Sequence, residues 1–361
     1  MYKHNKIEDN LYLWLLLSHT PKIGPATLVK LIKHFGSIEN IYTQNHATLS
    51  SIINPVIAQL IIGQSAQKQA NQALEWLNIA DNHHIIHMNS DIYPKQLLEM
   101  HDAPPVLFLK GNIELLKRNK LAIVGTRHPT EQGIKNAYRF ALELSNNNLT
   151  VVSGMANGID KAAHLGALEG KNSTIGVIGT GIDHVYPPGN AKLYEDMLDK
   201  NGLLISEFPL NTAPIAYNFP KRNRIIAGLS LGLLVVESAL DGGSMISANL
   251  ANDLGREVMA IPGSIHNPVA RGCHKLIKSG AKLVETTNDI LEELQFGINK
   301  PELPKTDNPI LMNMGYEPLN IDSICRILNL DFAQTCAKIL ELELSGEIIN
   351  CGGGKYQRIF N

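Results

Sequence analysis

The stretch Leu121-Ala122-Ile123-Val124-Gly125 decides the fold, because it is a short apolar run that ends at a glycine and is followed by similar runs along the chain. The later runs are Leu149–Val152, Thr174–Ile178, Leu203–Ile205, Leu231–Val236, Glu257–Ile261 and Lys282–Val284. None of them alternates apolar and polar residues, which indicates strands that are buried on both faces. Amphipathic helical segments such as Glu131–Ser145 and Asp160–Leu168 separate most of the runs. This order of strand, turn and helix predicts an α/β fold with a doubly wound parallel sheet.

The N-terminal part of the chain predicts a separate helical domain over residues 1–78. Leucine and isoleucine recur there at helical spacing on both sides of the breaker-rich turn Thr20–Pro25. This order of helix, turn and helix is typical of a helix-hairpin-helix unit, whose backbone amides bind phosphate. It is equally typical of an αα-hairpin that has only a structural packing role. The sheet domain is then expected over residues 79–297, and its first part, residues 80–115, is interpreted as a connecting region.

The C-terminal part of the chain predicts a linker and a winged-helix-like domain. Residues 298–310 are proline-rich and polar, as a linker is, and residues 311–361 follow as a small module. Asn320–Leu328 and Phe332–Leu344 are expected to be helices, and residues 348–359 are expected to form a hairpin around Gly352-Gly353-Gly354. Two helices followed by a hairpin indicate a winged helix.

Composition places the chain among ordinary soluble globular proteins. It has 361 residues, of which 44% are hydrophobic and 18% charged, and its formal net charge of -2 gives no overall attraction for nucleic acid or membrane. Residues 301–361 hold five Lys and Arg against eight Asp and Glu, which favours protein contacts or weak DNA binding by the terminal module. The four cysteines lack metal or disulfide spacing, and the first residues lack a signal-peptide pattern, so we expect a cytoplasmic protein.

The segment Asn218–Leu229 (NFPKRNRIIAGL) concentrates three cations, an amide and an aromatic ring ahead of an apolar run. It is interpreted as a turn that binds a polyanion, although a solvated turn with ordinary surface basic residues has the same composition. Small and polar residues also follow the predicted strands, at Gly125–Arg127, Ser153–Gly158, Gly179–Asp183 and Asp241–Ser244. Because the carboxyl ends of parallel strands meet at one edge of a sheet, these turns together predict a phosphate-binding rim.

Other functional motifs are incomplete. Gly179-x-Gly181 matches the first half of the dinucleotide fingerprint, but His184 stands where the third glycine belongs, and neither a P-loop nor a Gly-x-Ser-x-Gly motif occurs. Asp160 and His164 lie four residues apart on a predicted helix, where a structural Asp–His contact is expected. A cluster of three histidines between residues 83 and 87 lacks acidic or sulfur partners. We therefore predict no cofactor, no metal and no catalytic residues.

The motifs resemble the DprA (Smf) family of DNA-processing proteins. The segments that carry this resemblance stand in family order: Ala122–Arg127, Val152–Asp160, Tyr186–Asn190, Phe219–Ser230, Glu237 with Gly243-Ser244, Ile261–Ser264 and Arg271–Ile277. The resemblance covers essentially all of residues 90–285. It implies an extended Rossmann fold, with an N-terminal domain that is SAM-like or helix-hairpin-helix-like. It also implies a homodimeric protein, not an enzyme, that protects incoming single-stranded DNA and loads the RecA recombinase during natural transformation.

The resemblance also assigns roles to residues. Arg127 and the segment Lys221–Arg224 should line the DNA groove. Four small residues should let the backbone approach DNA closely: Gly125, Ser153, Gly154 and Gly243. The candidate DNA-binding residues are Gly125, Thr126, Arg127, Ser153, Gly154, Phe219, Lys221, Arg222, Asn223, Arg224, Gly243 and Ser244. The Phe219 ring has two interpretations: a stacking surface for a base, or a core ring that anchors the turn.

Two alternatives belong to other functional classes. The first is a nucleotide-processing Rossmann-fold enzyme of the nucleoside-monophosphate phosphoribohydrolase type, whose family carries a PGGxGTxxE string. Gly242–Ala248 stands at the matching place in this chain, but Ala248 and Asn249 lie near the position of the catalytic glutamate. The second alternative is a nucleotide sensor with no DNA role.

Overall fold

The computed structural model describes residues 10–295, 311, 314 and 319–358. The chain divides into two compact units, Met1–Phe296 and Gly297–Asn361. This division draws no boundary at residues 78 and 79, so the separate N-terminal domain stays a prediction. The predicted linker, residues 298–310, lies outside the described residues. No helix in the described ranges combines the length and the apolar character that crossing a membrane requires.

The first unit begins with short helices on both sides of the Thr20–Pro25 turn. They are α1 (Leu11–His19), α2 (Pro25–Phe35), α3 (Ile38–Tyr42), α4 (His46–Ser50), α5 (Pro55–Ile62) and α6 (Gln67–Leu77). The turn ends α1, and Pro25 then occupies the first position of α2, where its missing N–H costs no hydrogen bond. The buried face of these helices packs on the first strands of the sheet, where the Trp14 and Trp76 rings belong to the same apolar cluster as Phe108.

A nine-stranded sheet forms the centre of the first unit. Its strands are β1 (His83–His87), β2 (Val106–Gly111), β3 (Lys120–Val124), β4 (Thr150–Gly154), β5 (Thr174–Val177), β6 (Leu203–Ser206), β7 (Gly232–Val235), β8 (Glu257–Ala260) and β9 (Lys282–Leu283). Their order is β1-β2-β6-β5-β4-β3-β7-β8-β9. The strands from β3 to β9 run parallel to one another, which confirms the predicted doubly wound sheet.

Two strands were not predicted. Residues 80–115, interpreted as a connection, contain β1 and β2, which extend the sheet with antiparallel pairs at one edge. The sequence of β1, His83-His84-Ile85-Ile86-His87, looks polar because three of its residues are histidines. Two of these rings are nevertheless buried by stacking on tryptophans, His83 on Trp76 and His87 on Trp14, with ring centroids 4.1 and 5.0 Å apart.

Helices cover both faces of the sheet. They are α7 (Lys95–Leu98), α8 (Glu131–Asn146), α9 (Ile159–Glu169), α10 (Ala191–Asp199), α11 (Asn218–Leu229), α12 (Gly243–Asp253), α13 (Arg271–Lys278) and α14 (Thr287–Glu293). One core cluster contains side chains of α7, α11, α12 and α13, and another contains those of α8, α9 and α14. From β3 the chain builds outward through β4 to β6, then returns through α11 to β7 on the other side of β3. The switch point of the sheet therefore lies between β3 and β7, where ligands of such sheets bind.

The second unit has the elements of a winged helix. They are β10 (Leu319–Asn320), α15 (Ile321–Leu328), α16 (Phe332–Leu344), β11 (Ile348–Gly352) and β12 (Lys355–Arg358). Both predicted helices and the hairpin around the three glycines are present, and β10 completes a three-stranded sheet. Ile324, Ile339, Leu342 and Ile348 belong to its core. The winged-helix prediction is confirmed.

Candidate functional site

A crevice of about 370 Å³ opens at the switch point of the sheet. Its walls come from the turns after β3, β4 and β7 and from one side of α11. Of the candidate residues, eight line it: Gly125, Thr126, Arg127, Phe219, Arg222, Asn223, Gly243 and Ser244. The structure therefore brings together most of a set that is spread over more than a hundred residues of sequence.

The turns after β3 and β7 are tied to each other at Glu237. Its backbone carbonyl accepts a hydrogen bond from the Thr126 N–H at 2.8 Å. Its carboxylate accepts hydrogen bonds from the Thr130 hydroxyl at 2.6 Å and the Thr130 N–H at 2.9 Å. Thr130 also caps α8 by accepting from the Gly133 N–H. Glu237 therefore holds the wall of the crevice in place and is a positioning residue.

The cationic segment is part of a helix and not a turn before one, so this part of the prediction was wrong. α11 begins at Asn218, and Pro220 lies in its first turn, where backbone N–H groups have no partner within the helix. The helix separates the charged residues by face. Phe219, Arg222, Asn223 and Ile226 face the crevice, a spacing of three, four and seven residues that could have revealed this side from the sequence.

Arg222 lies at the base of the crevice and is 5% exposed. Its guanidinium donates hydrogen bonds to the Val177 carbonyl and, at 3.1 Å, to the Asn223 side chain. The Asp160 carboxylate lies nearby: a Cβ built at Gly154 would be 2.5 Å from Asp160 Oδ2 and 2.6 Å from Arg222 Nη2. Gly154 therefore makes room for this acid and base, and any side chain there would displace them.

Asp160 is the group in the crevice with a strongly shifted pKa. Burial raises its pKa to about 6, although the Arg222 guanidinium and the Ala156 N–H act in the opposite direction. The cost of desolvating the Asp160 carboxylate therefore outweighs its attraction to Arg222, and the carboxyl changes from protonated to ionised as the pH rises through about 6. The expected contact between Asp160 and His164 is not formed. The His164 ring is instead hydrogen-bonded at 2.7 Å to the Gly154 carbonyl and at 2.7 Å to the Thr174 hydroxyl.

Arg127 and Phe219 form the rim of the crevice. Arg127 is exposed, and no carboxylate pairs with it in the part of the chain that the structure describes. Its Cζ lies 6.0 Å from the centroid of the Phe219 ring, which is half-buried. The Tyr186 ring lies 5.4 Å from Phe219 on the wall of an adjoining cavity of about 120 Å³. A half-exposed ring beside a free cation fits the stacking interpretation better than that of a core anchor.

Lys221 and Arg224 point away from the crevice. Arg224, whose side chain is 6% exposed, forms an ion pair with Glu207 and lies 3.3 Å from an Asp102 carboxylate oxygen. Lys221 Nζ lies 3.5 Å from the same Glu207 carboxylate and 5.2 Å from the centroid of the Phe208 ring. Arg224 is therefore a structural cation. Its acidic partners were not found from the sequence, because Asp102 is 122 residues away.

The four residues predicted to approach DNA closely differ in their surroundings. Ser153 is fully buried and donates its hydroxyl to the Ile123 carbonyl at 2.6 Å. Gly125 packs on Ile159, and Gly154 on the Asp160 and Arg222 pair. Gly243 alone among these four has open space around it, at the start of α12. Close backbone approach to DNA stays a prediction for all four, and open space supports it at Gly243.

The side chains around the crevice are sparse in catalytic groups. Of the residues that line it, Asp160 is the one carboxylate. Ser244 donates its hydroxyl to Ser238 at 2.8 Å, while Ala248 and Asn249 follow it on α12. In the described ranges, no group of three or more histidine, cysteine or acidic side chains is placed to hold a metal ion.

Two family models match the chain. The model for DNA recombination-mediator protein A matches residues 84–295, which include every element around the crevice. The model for the DprA winged helix domain matches residues 299–354.

Individual proteins match as well. Protein Smf of Escherichia coli is 40% identical over 302 residues, which cover 80% of either chain. Protein Smf of Synechocystis is 32% identical and covers 96% of this chain and 98% of its own. The solved structure of DNA processing protein A from Streptococcus pneumoniae is similar with a TM-score of 0.71 at 35% identity, covering 80% of this chain and 99% of that one. A Helicobacter pylori DNA processing protein A structure, described by its single-stranded DNA binding mode, is similar with a TM-score of 0.53 at 30% identity, covering 58% of this chain and 95% of that one.

Proposed function

Because the chain belongs to the DNA recombination-mediator protein A (DprA/Smf) family, we propose that it binds single-stranded DNA in the crevice between β3 and β7. The observation that carries the proposal is the exposed Arg127, which has no carboxylate partner among the described residues, beside the partly exposed Phe219 ring at the rim. A cation and an aromatic face side by side suit a single strand, whose phosphates and unstacked bases are both accessible. The similar Helicobacter pylori protein, whose structure was solved for its single-stranded DNA binding mode, supports the choice of ligand.

Local charge and helix geometry support the same ligand. The chain as a whole carries -2, so a polyanion has to be attracted by a local site. The first turn of α12, with Gly243 and Ser244, borders the crevice, and backbone N–H groups at the start of a helix favour phosphate. We propose direct DNA contacts for the residues that face the crevice: Gly125, Thr126, Arg127, Phe219, Arg222, Asn223, Gly243 and Ser244. Lys221 is left for a second surface, and Ser153, Gly154 and Arg224 act by supporting the site.

The test is the charge reversal Arg127→Glu. Arg127 is exposed and unpaired, so the variant should fold like the parent, which a thermal melt checks. The affinity for labelled oligo-dT should fall, and the slope of log affinity against log salt should become shallower by about 0.7 for each lost phosphate contact. Lys171→Glu, at an exposed position after α9, is the charge-matched control. Undiminished binding by the Arg127 variant would remove the crevice as the binding site.

We further propose that the protein acts as a homodimer that protects incoming single strands and delivers them to RecA during natural transformation. The recombination-mediator family model supports this role. The expected result is that the purified protein speeds RecA assembly on single strands covered by a single-strand-binding protein, while Arg127→Glu does not. Light scattering measures the oligomeric state in the same preparation. Equal RecA assembly with and without the protein would contradict the mediator role and leave the binding proposal standing.

A further inference from the structure

A basic groove lies on α2, outside the crevice. It has a volume of about 490 Å³ and is lined by Lys30, Lys33 and His34 of α2 together with His101 from the turn after α7. The three α2 side chains are exposed, and the side chain of His101 is 91% exposed. None of the lining residues is acidic. Within residues 10–66 of the sequence Glu39 is the sole acidic residue, so this part of the chain is cationic although the whole chain is not.

The charges of this groove are available for a ligand. Lys30 Nζ donates one hydrogen bond to the Ile52 carbonyl at 2.9 Å, which satisfies one of its three protons and leaves its charge unpaired. Asp102 is the nearest acid to His101, with 3.8 Å between carboxylate oxygen and Nδ1. That carboxylate is already engaged by Arg224 on the buried side of α11. Lys30 and Lys33 are therefore exposed, and no carboxylate pairs with either of them among the described residues.

Lys221 lies between the crevice and α2. Its neighbours in sequence, Pro220 and Arg222, line the crevice, whereas Lys221 lines a separate cavity of about 140 Å³. The opposite wall of that cavity is the α1–α2 turn with Gly24 and Pro25. A chain that leaves the crevice over the first turn of α11 thus meets Lys221 and then the start of α2. The Lys221 side chain is 34% exposed, and its ammonium lies 3.5 Å from the Glu207 carboxylate, which lines the same cavity and also pairs with Arg224.

We propose that the single strand bound in the crevice continues over α11 and lays its phosphates along α2, with Lys221, Lys30 and Lys33 as the contacts. This inference rests on the proposed DNA binding and adds a second segment to the site. The occupant is the DNA backbone, because four of the seven residues that line the groove are lysine or histidine and none is acidic, which complements phosphate. The helical part of the first unit is then a DNA-binding element and not only a packing element.

The test compares a short and a long strand. Lys30→Gln/Lys33→Gln removes two exposed charges, and binding to oligo-dT of about 6 and about 20 nucleotides is measured at several salt concentrations. The short strand, held by the crevice, should bind with unchanged affinity. For the long strand, two lost phosphate contacts should reduce the salt slope by about 1.4 and the affinity by about 25-fold at 0.1 M salt. Lys171→Gln/Lys200→Gln is the control, because these exposed lysines precede β5 and β6 and so lie at the amino ends of the parallel strands, away from the crevice at the carboxyl ends.

The outcomes separate this inference from the proposed function. Length-dependent loss in the α2 variant, with none in the control variant, supports the second segment. If the parent protein binds both strands but the α2 variant is unchanged, or loses affinity for both lengths equally, the second segment is overturned and the crevice stands. If the parent binds neither strand, the proposed function itself fails, and this inference fails with it.

Discussion

Protonation of Asp160 should switch the strength of DNA binding. The charged groups that line the crevice include two cations, Arg127 and Arg222, against the Asp160 carboxylate. Its pKa of about 6 means that it is ionised at pH 7.5 and mostly protonated at pH 5.5. Ionised Asp160 offsets one cation and repels phosphate, so affinity for single strands should rise as the pH falls. Asp160→Asn should bind at pH 7.5 as tightly as the parent does at pH 5.5.

The magnitude follows from one unit charge. At an effective dielectric constant of about 20, a charge about 8 Å from a phosphate contributes about 2 kcal/mol, which salt reduces to roughly 1 kcal/mol, or about a fivefold change in affinity. The same group affects stability. Its folded pKa lies above the ordinary 3.8, so its contribution is fully present below pH 4 and is lost as the pH rises through 6. Between pH 5 and pH 7.5, the stability of Asp160→Asn relative to the parent should rise by about 1 kcal/mol.

Fluorescence anisotropy of labelled oligo-dT from pH 5.5 to 8, at constant ionic strength, measures the binding effect. His128 also lines the crevice and is present in both proteins, so the difference between parent and Asp160→Asn isolates Asp160. Denaturant titrations at pH 5 and 7.5 measure the stability effect. Parallel pH profiles for the two proteins would refute the reasoning, because they would mean that Asp160 does not titrate in this range or that its charge is not felt by DNA.

Two further predictions concern α11. Phe219→Leu keeps apolar bulk at the rim but removes the ring face, so oligo-dT affinity should weaken by about 1–3 kcal/mol while the melting temperature changes little; unaltered affinity would return Phe219 to a packing role. Arg224→Met should destabilise the fold by about 3–5 kcal/mol in denaturant titrations, because it leaves the buried Glu207 carboxylate without its main partner. Adding Glu207→Gln should restore most of that loss, and failure to do so would show that Arg224 acts by packing instead.

Most of the sheet was predictable because a strand that is buried on both faces is a run of apolar residues in the sequence. Seven of its nine strands coincide with apolar runs, and the turn chemistry follows each run directly. The rim was predictable for the same reason, since parallel strands bring their carboxyl ends together whatever their order. β1 was missed because its burial depends on tryptophans of α1 and α6, which stack on its histidines. β2 contains the buried apolar run Val106–Leu109, but this run directly follows Pro104-Pro105 and was interpreted as part of a connection. The local sequence around a residue does not show which residues it contacts in the tertiary structure.

The division of α11 into two faces was missed for a related reason. Four polar or charged residues in succession contain no apolar periodicity, and a proline precedes them, so the local pattern indicated a turn. The acids that pair with Arg224 are the buried Glu207 after β6 and the partly exposed Asp102 after α7, and only the fold brings them together. Which cation is structural and which is free is therefore a property of tertiary structure. The sequence shows that the cations are present but not whether each is paired with an acid or can bind DNA.

The number of cations that can bind phosphate determines the salt dependence expected for DNA binding in the crevice. If all four cations Arg127, Lys221, Arg222 and Arg224 bound phosphate, the salt slope would be about -2.8. Arg224 is neutralised by buried acids, and Asp160 offsets part of Arg222, which leaves a slope for the crevice nearer to about -1 at neutral pH. Charge alone then gives weak binding, and the Phe219 ring with the N–H groups at the start of α12 has to supply the rest. Stacking on Phe219 and phosphate binding by backbone N–H groups need unstacked bases and a flexible backbone, which single strands have and duplex DNA lacks. Because the neutralised cations weaken binding to every polyanion, we expect the site to select single strands over duplex.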